Sequence, residues 1–575
     1  MRKLFLSLFL FSSLLSSSQS LVTRFETSNG LESPPYEEAI AWWKKLDAAS
    51  AIVKMQEMGP TDAGFPLHLI LVSPDKDFNI ASLKQKKKNI IFIINGIHPG
   101  EPDGIDASML LVRDIVQNKY KLPSNVVLAF IPVYNIGGAL NRSKNYRIDQ
   151  NGPLEKGFRG NAQNLDLNRD FIKADSKNAF TFSRIFQYLD PDVFVDNHVS
   201  NGADYQHVMT LLVSQHNKLG GAMGDFMNKV FEPALYPMMK QKGYDLIPYV
   251  NHFGGDVDRG WSGYWDSPRY SSGYATLWST FSFVPETHML KPYAQRVAAT
   301  KAMMQSFVEF TGRYGKVMTE LREQTRKKEL AESSFPIAWK LDRTKPSEIT
   351  YKGYQSGFKT SEVSGLPRLY YDRSKPYEKK IAFYNFYADT LSVLKPVAYI
   401  IPQGWWKVID RLQANDIQMR RLTRDSSIVV ESYRIENYQS SARPYEGHHP
   451  NTNTQISKSL KTLTFRKGDY YISLNQKGNR FLIETLEPQA EDSYFAWNFF
   501  DPILGQKEGF SNYVFEETAA EFLKTHPEVK QKLEQRRTTD STFAKSAQAQ
   551  LNFIYQNSPY LEPAYMQYPV YRVVK

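Results

Sequence analysis

Ile90-Ile91-Phe92-Ile93-Ile94, followed shortly by His98-Pro99-Gly100-Glu101, is the stretch on which the fold turns. Five consecutive apolar residues read as a buried strand, so the His98 imidazole and the Glu101 carboxylate fall in the loop at its C-terminal end. Open α/β sheets place their active sites there. Two further runs repeat the arrangement. Val193-Phe194-Val195-Asp196-Asn197 leads into His198, and Phe281-Ser282-Phe283-Val284-Pro285 leads into Glu286. Three short apolar runs therefore each end on a metal-type or acid-base side chain.

Working outward, residues 106–117 carry apolar side chains at Met109, Leu110, Val112, Ile115 and Val116, a helical spacing. Residues 126–131 form the next apolar run, and the order strand, helix, strand predicts a mixed, largely parallel sheet covered by helices. The polar, glycine-containing stretch over residues 135–163 is longer than an ordinary connection, which points to function. At 575 residues the chain exceeds what one core spans, roughly 250–300 residues, so two units are expected. The expected division is a signal peptide over 1–20, an α/β catalytic domain over 21–330, a linker over 331–380 and a smaller α/β or β-rich accessory domain over 381–575. In that last region residues 397–401, 470–474 and 480–483 read as strands, while 406–412 and 513–523 read as helices.

The first residues suggest export. Arg2-Lys3, an apolar stretch to Leu15 and a run of small and polar residues to Ser20 have the three regions of a secretory signal. The apolar stretch is too short to span a bilayer. The sequence contains no cysteine, which fits a bacterial periplasm better than a disulfide-bonded extracellular scaffold. The formal charge of +11, or +9 without Arg2 and Lys3, is dispersed along the chain. No nucleic-acid module, P-loop, dinucleotide fingerprint or nucleophile elbow is present. The reading is therefore an exported, periplasmic or extracellular protein without a stable membrane anchor.

Two imidazoles and one carboxylate are an established ligand set for one catalytic zinc ion, and His98, Glu101 and His198 supply it. Zinc so held brings a bound water near neutral pKa and polarises a carbonyl. Glu286 is the candidate general base, with His288 as a competing ligand. Residues 158–171 add Arg159, Asn168 and Arg169, and guanidinium forks match planar carboxylates. His207 reads as a structural imidazole. His448 and His449 are a second possible cluster, although neighbouring side chains on an extended segment point to opposite faces.

In this order the motifs resemble those of the zinc metallocarboxypeptidases, the funnelins. The resemblance rests on the pair His98/Glu101, the box Asp166-Leu167-Asn168-Arg169, the later lone His198 and the following Glu286. It covers about residues 36–320 and looks like the exported bacterial type with a long C-terminal region. It implies that Asn168 and Arg169 bind the terminal carboxylate of a peptide substrate and that Arg159, nine residues before Asn168, polarises the scissile carbonyl. Arg142 and Arg147 stay open as rivals for that role. The family's mobile tyrosine would be Tyr264, with Tyr270 and Tyr274 in the same window.

The function that follows is hydrolysis of the C-terminal peptide bond. Peptidoglycan stem peptides or acyl-amino acids are alternative substrates on the same site, and a non-enzymatic envelope-binding protein is the remaining reading. The sequence is silent on oligomeric state and on the side-chain preference at the cleaved position.

Overall fold

The computed structural model describes residues 21–574, and the expected signal segment, 1–20, lies outside the described residues. The chain divides into two units. The first holds residues up to Lys395 together with Lys407–Gln418 and Leu474–Asp492. The second holds Pro396–Trp406, Met419–Ser473 and the residues from Ser493 onward.

The first unit is built on a nine-stranded mixed sheet. Its strands are β1 (Val53–Pro60), β2 (Pro66–Val72), β3 (Asn89–Ile94), β4 (Val126–Ile131), β5 (Val193–Asp196), β6 (His198–Ser200), β7 (Met209–Val213), β8 (Ile247–Pro248) and β9 (Phe281–His288). They lie in the order β1-β2-β4-β3-β5-β9-β7-β8, with β6 also beside β9. The centre, β4-β3-β5-β9, is parallel, whereas β1, β2 and β7 join antiparallel. Every residue of β3 and β4 is buried, which explains their unbroken apolar sequences: such strands have no solvent face on which to alternate.

Helices cover both faces. Phe92 on β3 registers with Phe194 on β5, and Phe182 and Phe186 of α1 (Lys177–Leu189) pack against both rings. Phe283 of β9 registers with Val195, the neighbour of Phe194, so it points to the opposite face. There it meets Phe307 of α2, the 39-residue helix Tyr293–Ala331, while Phe310 of that helix stacks on Phe231 at 3.9 Å. The helix Asp103–Val116, begun three residues earlier than its periodicity predicted, also packs against α2. Its Gly104 permits close approach to the strand ends, since a Cβ there would lie 2.3 Å from the Asn95 side chain and 2.7 Å from that of Asn197. These contacts hold the ends of β3 and β5, from which the chain runs on to His98 and His198.

Residues 331–380, expected as a linker, instead hold strands. Ser334–Leu341 pairs with Tyr387–Leu394, and Ser347–Thr360 pairs with Pro367–Tyr384 as a long hairpin. Much of that hairpin is exposed on both faces, so no apolar alternation marks it in the sequence. The expected accessory domain over 381–575 also divides, because Lys407–Gln418 and Leu474–Asp492 fall in the first unit. Within the second of these, the short run at 480–483 is not a strand but part of the helix Asn479–Leu486. Every residue of that helix is buried, with Arg480 and Glu484 paired one turn apart, and its apolar triplet Phe481-Leu482-Ile483 read alone cannot be told from a short buried strand.

The second unit contains Ala398–Ile401, flanked by Tyr470–Ser473 and Tyr571–Val573, and the long hairpin of Ser426–Ser440 with Asn451–Phe465. Its helices Asn512–Thr525, Pro527–Thr539 and Ala547–Gln556 enclose a separate core of Phe515, Phe522, Leu533, Phe543 and Leu551. The architecture is thus the expected mixed α/β sheet flanked by helices, with a β-rich C-terminal region. Among the described residues no helix is long and apolar enough to cross a membrane.

Candidate active site

The turn after β3, the start of β6 and the body of β9 bring His98, Glu101, His198 and Glu286 to one cavity of about 470 Å³. Glu286 lies inside β9 rather than at its end, because the strand continues to His288. Its register neighbours are His198 on β6 and Thr210 on β7.

His98, Glu101 and His198 are buried, and one ligand atom from each lies within 4.8 Å of the other two. Nδ1 of His98 stands 3.1 Å from one Glu101 oxygen, and Nδ1 of His198 stands 3.1 Å from the other. The backbone N–H of Val199 donates to the same carboxylate at 2.8 Å. Nε2 of His98 is 2.9 Å from Asp166 Oδ1. A neutral His98 that donates this Nε2–H turns its Nδ1 lone pair toward the Glu101 carboxylate. Two electron-rich groups are then aimed at one point, an arrangement that a cation resolves. Metal-ligating histidines characteristically carry such a carboxylate on the other ring nitrogen. The residues therefore fit a metal ion.

The charges around this group are balanced by neighbours. Burial opposes ionisation of Glu101, but Arg147, at 2.8 Å, and His98 hold its carboxyl well below the usual range. Burial likewise opposes charge on His198, yet Asp196 and Glu101 raise it well above an ordinary histidine. Enclosure pushes the Glu286 carboxyl above the usual carboxylate range against the opposing pull of His198, with Glu101 and Asp196 adding to the rise.

Asp166 ties the remaining pieces together. It accepts from Nε of Arg159 at 3.0 Å, from the backbone N–H of Asn168 at 2.9 Å and faces His98. Burial would raise its carboxyl, but His98, Arg159 and Arg169 hold it far below the usual range. The 3-10 turn Leu167–Arg169 that it caps presents Asn168 and Arg169 to the cavity. The Arg169 guanidinium lies 4.7 Å over the Tyr270 ring, a stack that orients its fork.

All eight residues singled out from the sequence line this cavity: His98, Glu101, Arg159, Asn168, Arg169, His198, Tyr264 and Glu286. Of the rivals, Arg147 lines it as well. Arg142 does not, and spends its guanidinium on the carbonyls of Ser33, Pro34 and Glu155. Tyr270 lines the wall, whereas Tyr274 is buried with its hydroxyl on Asn415. His288 points elsewhere, to the Ala203 carbonyl. His207 is structural, accepting the Lys352 N–H through Nε2 and facing the Asp245 carbonyl through Nδ1. His448 packs on Trp497 and His449 faces the Ser441 carbonyl, and neither joins a metal-type group among the described residues. Sequence reasoning passed over Tyr249 and Asp266, two further wall residues, and gave Asp166 no role of its own. For Asp166 the signal was present, since it opens the box ahead of Asn168 and Arg169.

Residues 39–210 match the family model described as zinc carboxypeptidase. Among curated proteins, Carboxypeptidase 2 of Trichophyton rubrum is 19% identical over 513 residues, spanning 84% of this chain and 87% of the relative. Among solved structures, a metallo-carboxypeptidase from Burkholderia cenocepacia is 17% identical, with 49% of this chain and 70% of that one covered and a TM-score of 0.37. Carboxypeptidase A from Helicoverpa armigera is 13% identical, with 49% and 74% covered and a TM-score of 0.36.

Proposed function

We propose that this chain is an exported metallocarboxypeptidase, a zinc hydrolase that removes C-terminal residues from peptides ending in a free carboxylate, a reading supported by the match of residues 39–210 to the zinc carboxypeptidase model. The observation that carries this reading is convergence. A metal-type triad, a carboxylate able to move protons and an Asn–Arg pair able to grip an anion all line one cavity.

His98, Glu101 and His198 would hold one zinc ion. When bound, the ion supplies a Lewis acid for the scissile carbonyl and makes water acidic enough to attack at neutral pH. The chain's own groups supply the rest. Arg169, oriented by Tyr270, and Asn168 bind the terminal carboxylate through charge-assisted hydrogen bonds. That anchor sets the last peptide bond, and no other, at the centre. Arg159 or Arg147, both on the wall, donates to the carbonyl oxygen as negative charge develops there. Glu286 takes a proton from the attacking water and delivers it to the departing amine. Tyr264 closes over the bound carboxylate.

Support for export is the basic, apolar and small-residue order of residues 1–20. The test is a substrate panel of hippuryl dipeptides, acyl-amino acids and muropeptides, run alongside elemental analysis. The expected result is one zinc per chain, hydrolysis of the dipeptides, and loss of both in His98→Ala. Hydrolysis of muropeptides alone would move the reading to peptidoglycan trimming. A His98→Ala variant that keeps stoichiometric zinc would overturn the ligand assignment.

A further inference from the structure

A second cavity, of about 290 Å³, opens where the last turns of α2, the strand Ser334–Leu341, the helix Asn479–Leu486 and the segment 217–222 meet. All four belong to the first unit, and the cavity shares no lining residue with the active site. Its size is at the lower end of small-molecule sites, which begin at about 300 Å³. Leu219, Phe335 and Pro336 give it an apolar wall, on which stand two opposite charges. Arg480 is only 7% exposed, and among the described residues its one hydrogen bond runs from Nε to Glu484 at 3.0 Å. Its enclosed Nη2 has no partner, and its contact with the Trp339 ring, at 5.9 Å, uses none of its N–H donors. Glu329 accepts only from the Ser279 hydroxyl, at 3.3 and 3.4 Å. Burial pushes its carboxyl above the usual range while Arg480 pulls it down, yet the two make no hydrogen bond. The other charges on the wall are matched, Lys218 with Glu484 and Lys328 with Glu332, each at 3.3 Å. Enclosed polar groups without a full set of partners are costly, and each calls for an explanation.

We propose that this cavity binds a free α-amino acid with an apolar side chain. The Arg480 guanidinium takes the α-carboxylate through its open donors, Glu329 takes the α-ammonium, and the apolar wall takes the side chain. A simple carboxylic acid would leave Glu329 without a cation, and a simple amine would leave Arg480 without an anion. An ammonium beside Glu329 also offsets the cost of burying that carboxylate. Free amino acids are what the carboxypeptidase reading has this chain release, so the ligand belongs to the product class of its own reaction. The site itself stands on the cavity and its two charges.

The test is equilibrium dialysis of radiolabelled L-leucine against the zinc-loaded full chain. Arg169→Ala removes the guanidinium that would grip leucine in the active-site cavity, so leucine bound by that variant reports on the second site. It should bind one leucine per chain. Adding Arg480→Gln to that background should weaken binding by roughly 10- to 100-fold, the factor of one charge-assisted hydrogen bond. L-leucinamide and 4-methylpentanoic acid each lack one of the two charges and should compete at least roughly tenfold less well than unlabelled leucine. Should the Arg480→Gln protein fail to fold, Ala222→Trp fills the cavity from an exposed position on its wall and should abolish the site. Leucine binding that vanishes in Arg169→Ala overturns the proposal. So does affinity undiminished by Arg480→Gln or by Ala222→Trp, or equal competition by either analogue. None of these outcomes bears on the carboxypeptidase reading, which stands or falls on cleavage of the dipeptides.

Discussion

Replacing Asp166 with asparagine keeps the shape of the side chain and removes its charge, and the geometry fixes what must follow. The carboxylate faces His98 Nε2 at 2.9 Å on one oxygen and the Arg159 Nε at 3.0 Å on the other. An amide offers one acceptor and one donor. If its oxygen serves His98, its NH2 group confronts the guanidinium; turned over, it confronts the imidazole. One charge-assisted bond is lost in either orientation, at a cost of about 1.5–3 kcal/mol. The Asp166 and His98 side chains are only 11% and 2% exposed, so solvent screens little of the bond between them, while the bond to Arg159, whose side chain is 45% exposed, falls at the lower end of this range. At about 1.4 kcal/mol per tenfold, the combined loss in zinc affinity and in kcat/KM at saturating zinc is roughly 10- to 100-fold. The same range is found when outer partners of metal ligands are removed. The assay is zinc competition against a chromogenic chelator, followed by steady-state kinetics on a hippuryl dipeptide at saturating zinc. Unchanged affinity together with unchanged kcat/KM would refute the role given to Asp166.

Two further outcomes are expected. Glu286→Gln should retain zinc while kcat falls by roughly 10²–10⁴-fold, the range for lost general acid-base assistance; a near-normal kcat would assign proton transfer to another group. Arg169→Ala should lower kcat/KM on free-acid substrates by roughly 10- to 100-fold, and an equal loss on the corresponding amides would show that the guanidinium does not grip the terminal carboxylate.

The parts of this molecule that the sequence makes legible share one property: a local pattern that burial enforces. Ile90–Ile94 is a central strand covered on both faces, and only a continuous apolar run satisfies that position. His98, Glu101 and His198 follow such runs directly, so finding the strands located the ligands. Glu286 was found for the same reason, although its strand runs on past it to pair with both β6 and β7. Tyr249 and Asp266 reach the cavity from segments without periodicity, where position depends on the path of the chain in three dimensions. The hairpin over residues 347–384 escaped notice because its two largely exposed faces impose no alternation. The helix Asn479–Leu486 escaped notice because its apolar triplet Phe481-Leu482-Ile483, read alone, is indistinguishable from a short buried strand.

The most direct test of the central claim is the cleavage pattern of the zinc-loaded wild type on one peptide made in two forms, with a free C-terminal carboxylate and with a C-terminal amide. If Asn168 and Arg169 anchor that carboxylate beside the His98–Glu101–His198 group, mass spectrometry should show the free acid shortened from its C-terminus in single-residue steps. The amide should remain essentially intact. Equal consumption of the two forms, or fragments from internal bonds, would contradict the account and identify an endo-acting hydrolase on the same site.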